Sequence, residues 1–371
     1  MDISCRTIWQ HAAGDTNRNY AALCLAWDVI ISGPGYAGPW PTCVPALRKD
    51  EWKSKKITDL RRFSEEIQDG DIVVLRIGTS HVLGVGEVVG DYLYRPEFGD
   101  VDGWDLQHVR RVRWLWKGLD DPKRFETYAL KFGDTTQRLS DGVVKEWLGE
   151  LSIGSGDWNR PLRELPDSDD VDELPIERVS EFLFDRGVAS TSINALVAQI
   201  GELTRIAKWY WQFGPPSEHE TVAYLVAPLL RALGWTPQRM AVEWRSVDLA
   251  LFERLPREDE SLRVVVEAKK MGSSCLSAVS QASQYADGRE QCNRLIVTDG
   301  IRYGVFERSK GGAFTPHAYL NLAQLRLNYP ILECAGAPAA LWAMAPEWRS
   351  ELELGTRRGA ETEESAAVGV G

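Results

Sequence analysis

One strand-like run in the C-terminal half most constrains the fold of this chain. Residues 263–269 are rich in valine before they reach Glu267, Ala268 and Lys269. A β-branched run of this kind is typical of a buried strand, in which side chains alternate between the two faces. Glu267 and Lys269 are therefore expected on the same face of a β-sheet, either within one site or as an ion pair in solvent.

A second strand-like run carries Asp248. This run spans Val247–Phe252, and the polar loop 253–262 that follows it contains Pro256. Polar residues with a proline favour a hairpin turn, which would bring Asp248 beside Glu267. Two carboxylates that face one ammonium favour a hard cation such as Mg²⁺, and they suit metal-assisted cleavage of a phosphodiester.

Composition limits the class of protein. The chain has 371 residues, enough for two or three domains, and 44% of them are hydrophobic. No apolar run reaches the roughly 20 residues of a membrane span. No signal peptide is recognisable, so we expect a cytoplasmic protein without a membrane partner. The six cysteines form no CxxC motif, which argues against structural zinc and favours reduced thiols.

The charge distribution bears on how the chain could bind nucleic acid. A net charge of −11 argues against binding by phosphate attraction alone. Two segments are nevertheless basic: residues 45–62 hold seven basic side chains against three acidic ones, and residues 110–124 interleave basic residues with tryptophan. We expect Arg110, Arg111 and Arg113 to contact the DNA backbone. The alternative is that both segments are ordinary solvated faces.

Turn residues and periodic runs divide the chain into four segments. Residues 1–150 alternate short strands with glycine and proline, which is typical of a mainly β barrel. Residues 151–214 combine an acidic linker with an amphipathic helix at 192–213, which is either a dimer element or packed on the next segment. Residues 215–346 alternate helix and strand, and residues 347–371 resemble a disordered tail. The predicted fold class is multidomain, with a β barrel followed by an α/β fold. In the first segment the predicted strands are 24–32, 72–77, 82–89 and 109–116.

Two helices of the third segment carry further polar residues. One is predicted to begin at Ser217. Glu218 falls on its apolar face, and it is either a third acid of the site or a first-turn residue that interacts with the helix dipole. A later helix, at about 276–286, places Gln281 and Tyr285 on one face. This pair is expected to brace either the nucleic-acid backbone or the strand that carries Glu267. The alternative is an ordinary polar face of the helix.

The order of these features is similar to that of a known nuclease family. Along the chain follow Ser217-Glu218-His219-Glu220-Thr221, Val226-Ala227-Pro228-Leu229-Leu230, Leu233-Gly234-Trp235, Glu243, Asp248, Val266-Glu267-Ala268-Lys269, Gln281-Ala282-Ser283-Gln284-Tyr285 and Val297-Thr298-Asp299-Gly300. Over about 130 residues this series resembles the N-terminal nuclease domain of type I restriction enzyme R subunits. Those domains are PD-(D/E)XK nucleases. The chain contains no GxxxxGK[ST] motif, so the motor of an R subunit is not expected.

The resemblance implies roles for individual residues. Asp248 and Glu267 correspond to the ligands of Mg²⁺, with Mn²⁺ as a substitute. Lys269 corresponds to the residue that orients the attacking water and neutralises developing charge. The remaining members of the predicted catalytic set are Glu218, Gln281 and Tyr285.

The first segment is similar to another family. It contains a Gly-Asp pair that opens a strand, a G-x-G-x-V strand and a late strand that begins with histidine: Asp69-Gly70-Asp71, Gly84-Val85-Gly86-Glu87-Val88 and His108-Val109-Arg110-Arg111-Val112. Over about 115 residues this order resembles PUA-like domains of the EVE and YTH kind, which implies a pocket for a modified base. Aromatic residues beside flexible backbone suit stacking on an opened-out base. The candidate pocket residues are Ser32, Trp40, Tyr94, Trp104 and Asp105. The alternative for each aromatic residue is a core position.

Together the two resemblances imply a modification-dependent, type IV-like restriction endonuclease. It would recognise a modified base in DNA through its N-terminal domain and hydrolyse phosphodiester bonds with Mg²⁺ in its C-terminal domain, in defence against phage. One active site cuts one strand, so a double-strand break implies a homodimer or two binding events. The alternatives are an RNA-directed or abortive-infection nuclease and a non-catalytic reader of modified nucleic acid.

Overall fold

The computed structural model describes residues 5–15, 18–140, 142–167 and 173–350. The chain divides into two compact units, of which the first ends at residue 170. It is a mixed α/β protein with two β-sheets, so the predicted fold class is confirmed at this level. Within the described residues, no helix combines the length and apolar character needed to cross a membrane. Residues 351–371 of the predicted disordered tail lie outside the described residues.

The first unit is built on a seven-stranded sheet that curls into a half-barrel. Its strands are β1 Ile8–Ala12, β2 Val29–Ser32, β3 Ile72–Ile77, β4 His81–Tyr94, β5 His108–Lys117, β6 Lys123–Arg124 and β7 Thr136–Arg138. Neighbouring strands follow the order β2-β5-β4-β3-β1-β7, with β6 paired to β4. The described α-helices of this unit are α1 Ala21–Trp27, α2 Val44–Lys49, α3 Ser54–Arg61, α4 Val143–Glu150 and α5 Ser155–Trp158.

Two glycines allow β4 to pass close to the side chains of β5. A Cβ atom at Gly84 would lie 3.1 Å from the ring of Trp114. At Gly86 the same atom would lie 2.4 Å from Val112 and 2.9 Å from the Trp114 ring. Packed interiors do not tolerate such short contacts, so the G-x-G spacing of this strand follows from its close approach to β5.

The strand predicted at 24–32 is wrong in its first half. Residues up to Trp27 belong to helix α1, and only the end of the run forms β2. The helix buries Ala21, Cys24 and Leu25, which recur at helical spacing. Asp28 then adopts a left-handed conformation with φ 55°, which ends the helix and starts the strand. The other three predicted strands correspond to β3, β4 and β5.

The second unit contains an eight-stranded sheet. Its strands are β8 Met240–Trp244, β9 Val247–Phe252, β10 Leu262–Ala268, β11 Arg294–Thr298, β12 Arg302–Arg308, β13 Phe314–Asn321, β14 Asn328–Tyr329 and β15 Cys334–Ala335. The order across the sheet is β14-β15-β13-β12-β11-β10-β9-β8. Strands β9 and β10 form the predicted antiparallel hairpin, and β10 also pairs in parallel with β11. Every residue of β10 is buried, as its run of valines predicts.

Helices accompany this sheet, and two of them lie within residues 151–214: α7 corresponds to the predicted amphipathic helix, whereas α6 was not predicted. The described helices of the second unit are α6 Ile176–Phe184, α7 Ser190–Phe213, α8 Glu218–Thr221, α9 Ala227–Ala232, α10 Val279–Ala286 and α11 Ala337–Met344. Side chains of α6 and α7, among them Leu183, Leu196 and Leu203, join one apolar core with Leu225 and with Leu249 of β9. The amphipathic helix therefore packs on α6 and α9 and shares one core with the α/β segment that follows it.

The helix predicted from Ser217 is present, but a π-helical turn interrupts it. Ser217 caps the helix by accepting a hydrogen bond from the Glu220 backbone, and Val222–Val226 form the π turn between α8 and α9. Pro228 lacks a backbone N–H, so the regular i to i−4 bond at this position does not form. A wider turn at the preceding residues is the local consequence.

Candidate active site

The hairpin of β9 and β10 brings the two predicted metal ligands together. The last registered pair of the two strands is Val266 with Leu249, and the next positions along are Glu267 and Asp248. The Asp248 carboxylate accepts a hydrogen bond of 2.7 Å from the backbone N–H of Ala268. The strand that carries Glu267 therefore also fixes the orientation of Asp248.

Glu267 is a buried carboxylate that is only partly neutralised. Its side chain is 2% exposed, and its Oε1 atom lies 3.0 Å from the Nζ atom of Lys269. Its Oε2 atom is buried without a hydrogen-bond partner. Burial raises the pKa of Glu267 to about 7, and the charges of Asp248 and Glu218 act in the same direction, whereas Lys269 lowers the pKa. The expected alternative of an ion pair in solvent is thus not what the chain forms.

A polar chain continues from Lys269 along helix α10. The Lys269 ammonium donates a hydrogen bond of 3.1 Å to the Oε1 atom of Gln281, whose amide donates a hydrogen bond of 3.0 Å to the Tyr285 hydroxyl. The backbone N–H of Lys269 donates to the carbonyl of Thr298, which keeps the residue in line with β10 after the strand ends. Of the expected roles for Gln281 and Tyr285, the structure favours bracing of the strand that carries the acids.

Glu218 does not lie on the buried face of its helix, so its predicted orientation is wrong. The side chain is exposed, and the buried residue of this first turn is Thr221. The π turn that follows changes the helical phase, so a uniform 100° per residue places Glu218 incorrectly. Its carboxylate still lies near enough to raise the pKa of Glu267.

Two residues outside the predicted catalytic set hold the loop after β10. The backbone N–H of Gly272 donates a hydrogen bond of 3.2 Å to Asp299, which is fully buried at the end of β11. Trp211 of α7 packs on Gly272, where an added Cβ would lie 2.9 Å from its ring, yet its side chain remains 57% exposed. For Asp299, the sequence signal was the Thr-Asp-Gly turn that follows a buried strand. No sequence signal indicated that Trp211 would contact this loop.

The residues present fit a hard cation with limited protein ligation. The unpartnered Oε2 atom of Glu267 and the neighbouring carboxylate of Asp248 are oxygen donors of the type that Mg²⁺ prefers. Among the described residues, no three side chains of His, Cys, Asp or Glu are grouped so that they could hold a metal. Further ligands would therefore come from other oxygen atoms, such as those of water or a substrate phosphate.

In the first unit, four of the five predicted pocket residues surround one loop. Ser32 ends β2, at the point where the chain turns into this loop. Tyr94 donates a hydrogen bond of 2.8 Å to the Gly35 carbonyl, and Asp105 accepts hydrogen bonds from the backbone of Gly35 and of Tyr36. The polar atoms of Tyr94 and Asp105 thus hold the loop. The fourth residue, Trp40, does not hold the loop with its side chain. The ring N–H of Trp40 donates a hydrogen bond to Glu65 instead.

Trp104, the fifth predicted pocket residue, lies at a separate cavity. Its ring meets Tyr20 edge to face at 5.5 Å between centroids, and the guanidinium of Arg18 lies 4.9 Å from its ring centroid. Both aromatic residues line a cavity of about 390 Å³, together with Lys56, Arg76 and Phe132 among others. A cavity of this size lies within the range of small-molecule sites.

The three arginines predicted to contact DNA are engaged within the first unit. Arg110 is 3% exposed and donates to the carbonyl of Ile67. Arg111 donates to the carbonyl of Arg163, and Arg113 pairs with Glu87 at 2.9 Å. Strand β5 lies between β2 and β4, so both of its edges are paired within the sheet. In this conformation the Arg110 guanidinium is not available to a phosphate.

Comparison with known proteins gives one partial match. Residues 24–136 match the family described as a domain of unknown function, DUF8426. This range runs from α1 to the start of β7 and lies entirely within the first unit. No curated protein and no solved structure matches the chain.

Proposed function

We propose that this chain is a metal-dependent nuclease of the PD-(D/E)XK class whose first unit, a PUA-like domain, reads a modified base in DNA. The observation that carries the proposal is the state of Glu267, which is buried with one unpartnered oxygen and with Lys269 on the other. Burying a carboxylate in this way is costly unless a cation completes its surroundings. Such costs are concentrated at functional sites.

The side chains support hydrolysis of a phosphodiester. A bound Mg²⁺ would polarise the scissile phosphate and lower the pKa of its bound water. Asp248 and Glu267 would bind the ion, and Lys269 would place a fixed positive charge where the phosphate gains negative charge. Gln281 and Tyr285 act on the reaction through Lys269, since their hydrogen bonds lead to its ammonium; they are positioning residues.

The cavity at Trp104 supports the reading function. An opened-out base is recognised by stacking on aromatic rings and by hydrogen bonds at its edges. Tyr20 and Trp104 supply the rings, while Arg76 and Asp134 bring polar atoms to the same cavity. Specific reading would explain how a chain with a net charge of −11 acts on DNA.

A cleavage assay tests the proposal. The protein is incubated with Mg²⁺ and, in turn, with unmodified DNA, 5-methylcytosine DNA, hydroxymethylated phage DNA and RNA. We expect cleavage of one modified DNA above the others, loss of cleavage in EDTA and loss in Glu267→Gln. Glu220→Gln is the matched control, because this exposed acid only caps α8.

Each other outcome has a defined meaning. The absence of cleavage on all four substrates contradicts the nuclease. Equal cleavage of all DNA contradicts the reader, and cleavage of RNA alone favours the RNA-directed alternative. Since one active site cuts one strand, we also expect double-strand breaks to depend on protein concentration.

A further inference from the structure

We propose that Phe132 is a wedge that enters the base stack of duplex nucleic acid while a neighbouring base occupies the cavity at Trp104. This inference rests on the proposed reading function and specifies how the first unit meets its substrate. An extruded base leaves a gap in the stack, and apolar side chains are suited to fill such gaps.

The exposure of Phe132 is the first observation. At 81%, it is the most exposed large apolar side chain in the described part of the chain. It lies at the cavity that Tyr20 and Trp104 line. Covering this ring with a partner would remove apolar surface from water, which is favourable.

The backbone around Phe132 is held firmly. The neighbouring Lys131 exchanges two hydrogen bonds of 2.9 Å with the Gln10 side chain, through its N–H and its carbonyl. On the other side, the backbone of Thr135 and Thr136 donates to the buried Asp59 at 2.8 and 2.9 Å. The ring is therefore presented on fixed backbone, which reduces the entropy lost when it inserts.

Basic side chains flank the ring. Lys56 lines the same cavity, and the Lys55 side chain is 68% exposed while its Nζ atom lies 3.1 Å from Oδ1 of Asp134. The Nζ atom of Lys55 lies 3.1 Å from the position that a Cβ of Gly133, next to Phe132, would occupy. Both lysines belong to α3, within the basic segment 45–62. Positive charge beside an exposed ring fits a nucleic-acid backbone with stacked bases. The exposed lysines of α3 are therefore better placed than the buried Arg110 of β5 to meet phosphates.

The experiment compares duplex with single-stranded ligands. Oligonucleotides carry one 5-methylcytosine, 5-hydroxymethylcytosine or N6-methyladenine with 2-aminopurine beside it, and binding is followed by anisotropy and by 2-aminopurine fluorescence in Ca²⁺ to prevent cleavage. For the modification bound best, Phe132→Ala should weaken duplex binding by about ten- to one-hundredfold and single-strand binding less than about twofold. Phe132→Trp should restore duplex binding.

Tyr128→Ala is the matched control. Tyr128 is 76% exposed in the same connection but does not line the cavity, so its removal should leave both affinities unchanged. If the wild type prefers a modified duplex and Phe132→Ala binds it equally well, the proposed role of Phe132 is wrong, but the proposed recognition of a modified base is not contradicted. If the wild type prefers no modified ligand, the reader fails and the wedge fails with it. Equal losses in Phe132→Ala and Tyr128→Ala would indicate a general apolar contact, such as one to a second copy of the chain.

Discussion

Replacing Glu267 with glutamine should stabilise the metal-free protein, but only at high pH. The pKa of this carboxyl rises from 4.5 to about 7 on folding, mainly because of burial. The folded state therefore holds the proton more tightly than the unfolded chain. The resulting stabilisation is complete below about pH 4.5 and is lost as the pH rises through about 7.

The size of the effect follows from the same values. A pKa that moves from 4.5 to about 7 corresponds to at most about 3 kcal/mol at high pH. Glutamine removes the buried charge but also the attraction to Lys269. We therefore expect a net gain of about 1–3 kcal/mol near about pH 8, which raises Tm by several degrees, and a change close to zero near about pH 5.

Calorimetry in EDTA at both pH values measures the difference between wild type and Glu267→Gln. Adding Mg²⁺ near about pH 8 should then raise the Tm of the wild type and leave that of the variant unchanged, because binding to the folded state alone stabilises it. A variant that is less stable than the wild type near about pH 8 without metal would refute the reasoning. Equal stabilisation at both pH values would do so as well.

Three further predictions concern the surroundings of this carboxylate. Lys269→Ala should keep the Mg²⁺-dependent rise in Tm and lower kcat by about a hundred- to a thousandfold in the cleavage assay; loss of the metal effect would contradict its assigned role. Gln281→Ala should lower kcat by about tenfold with little change in KM, since it only orients the ammonium, and a larger effect on KM would indicate substrate contact. Gly272→Ala should cost about 1–2 kcal/mol, because φ is +85° and the added Cβ meets Trp211. Trp211→Ala in the same chain should recover part of that loss in urea denaturation.

The parts of the site that could be predicted from sequence are those governed by strand alternation. Val247–Phe252 and the valines before Glu267 fix which side chains share a face, and the polar loop between them fixes the hairpin. Helical spacing was equally sufficient for Gln281 and Tyr285 on α10, which interact as a pair four residues apart. These local periodicities do not depend on the rest of the molecule.

The wrong predictions arose where tertiary context decides. The direction of Glu218 depended on a π turn that Pro228 favours, which a uniform helix does not include. Arg110 was expected at the surface because of its charge, yet a carbonyl partner supports it inside the unit. The boundary between helix α1 and strand β2 was missed because the residues of both elements are apolar, so the run from Cys24 onward resembles one continuous strand.

The core shared by α6, α7 and the sheet decides how the protein can be dissected. A fragment that begins at residue 215, where the α/β segment was predicted to start, lacks the helices that cover Leu225, Leu229 and Leu249. It would leave a wide apolar face in water and should aggregate when expressed alone. A fragment that begins at residue 173 keeps both helices, so it is the piece on which the proposed cleavage can be tested apart from the first unit.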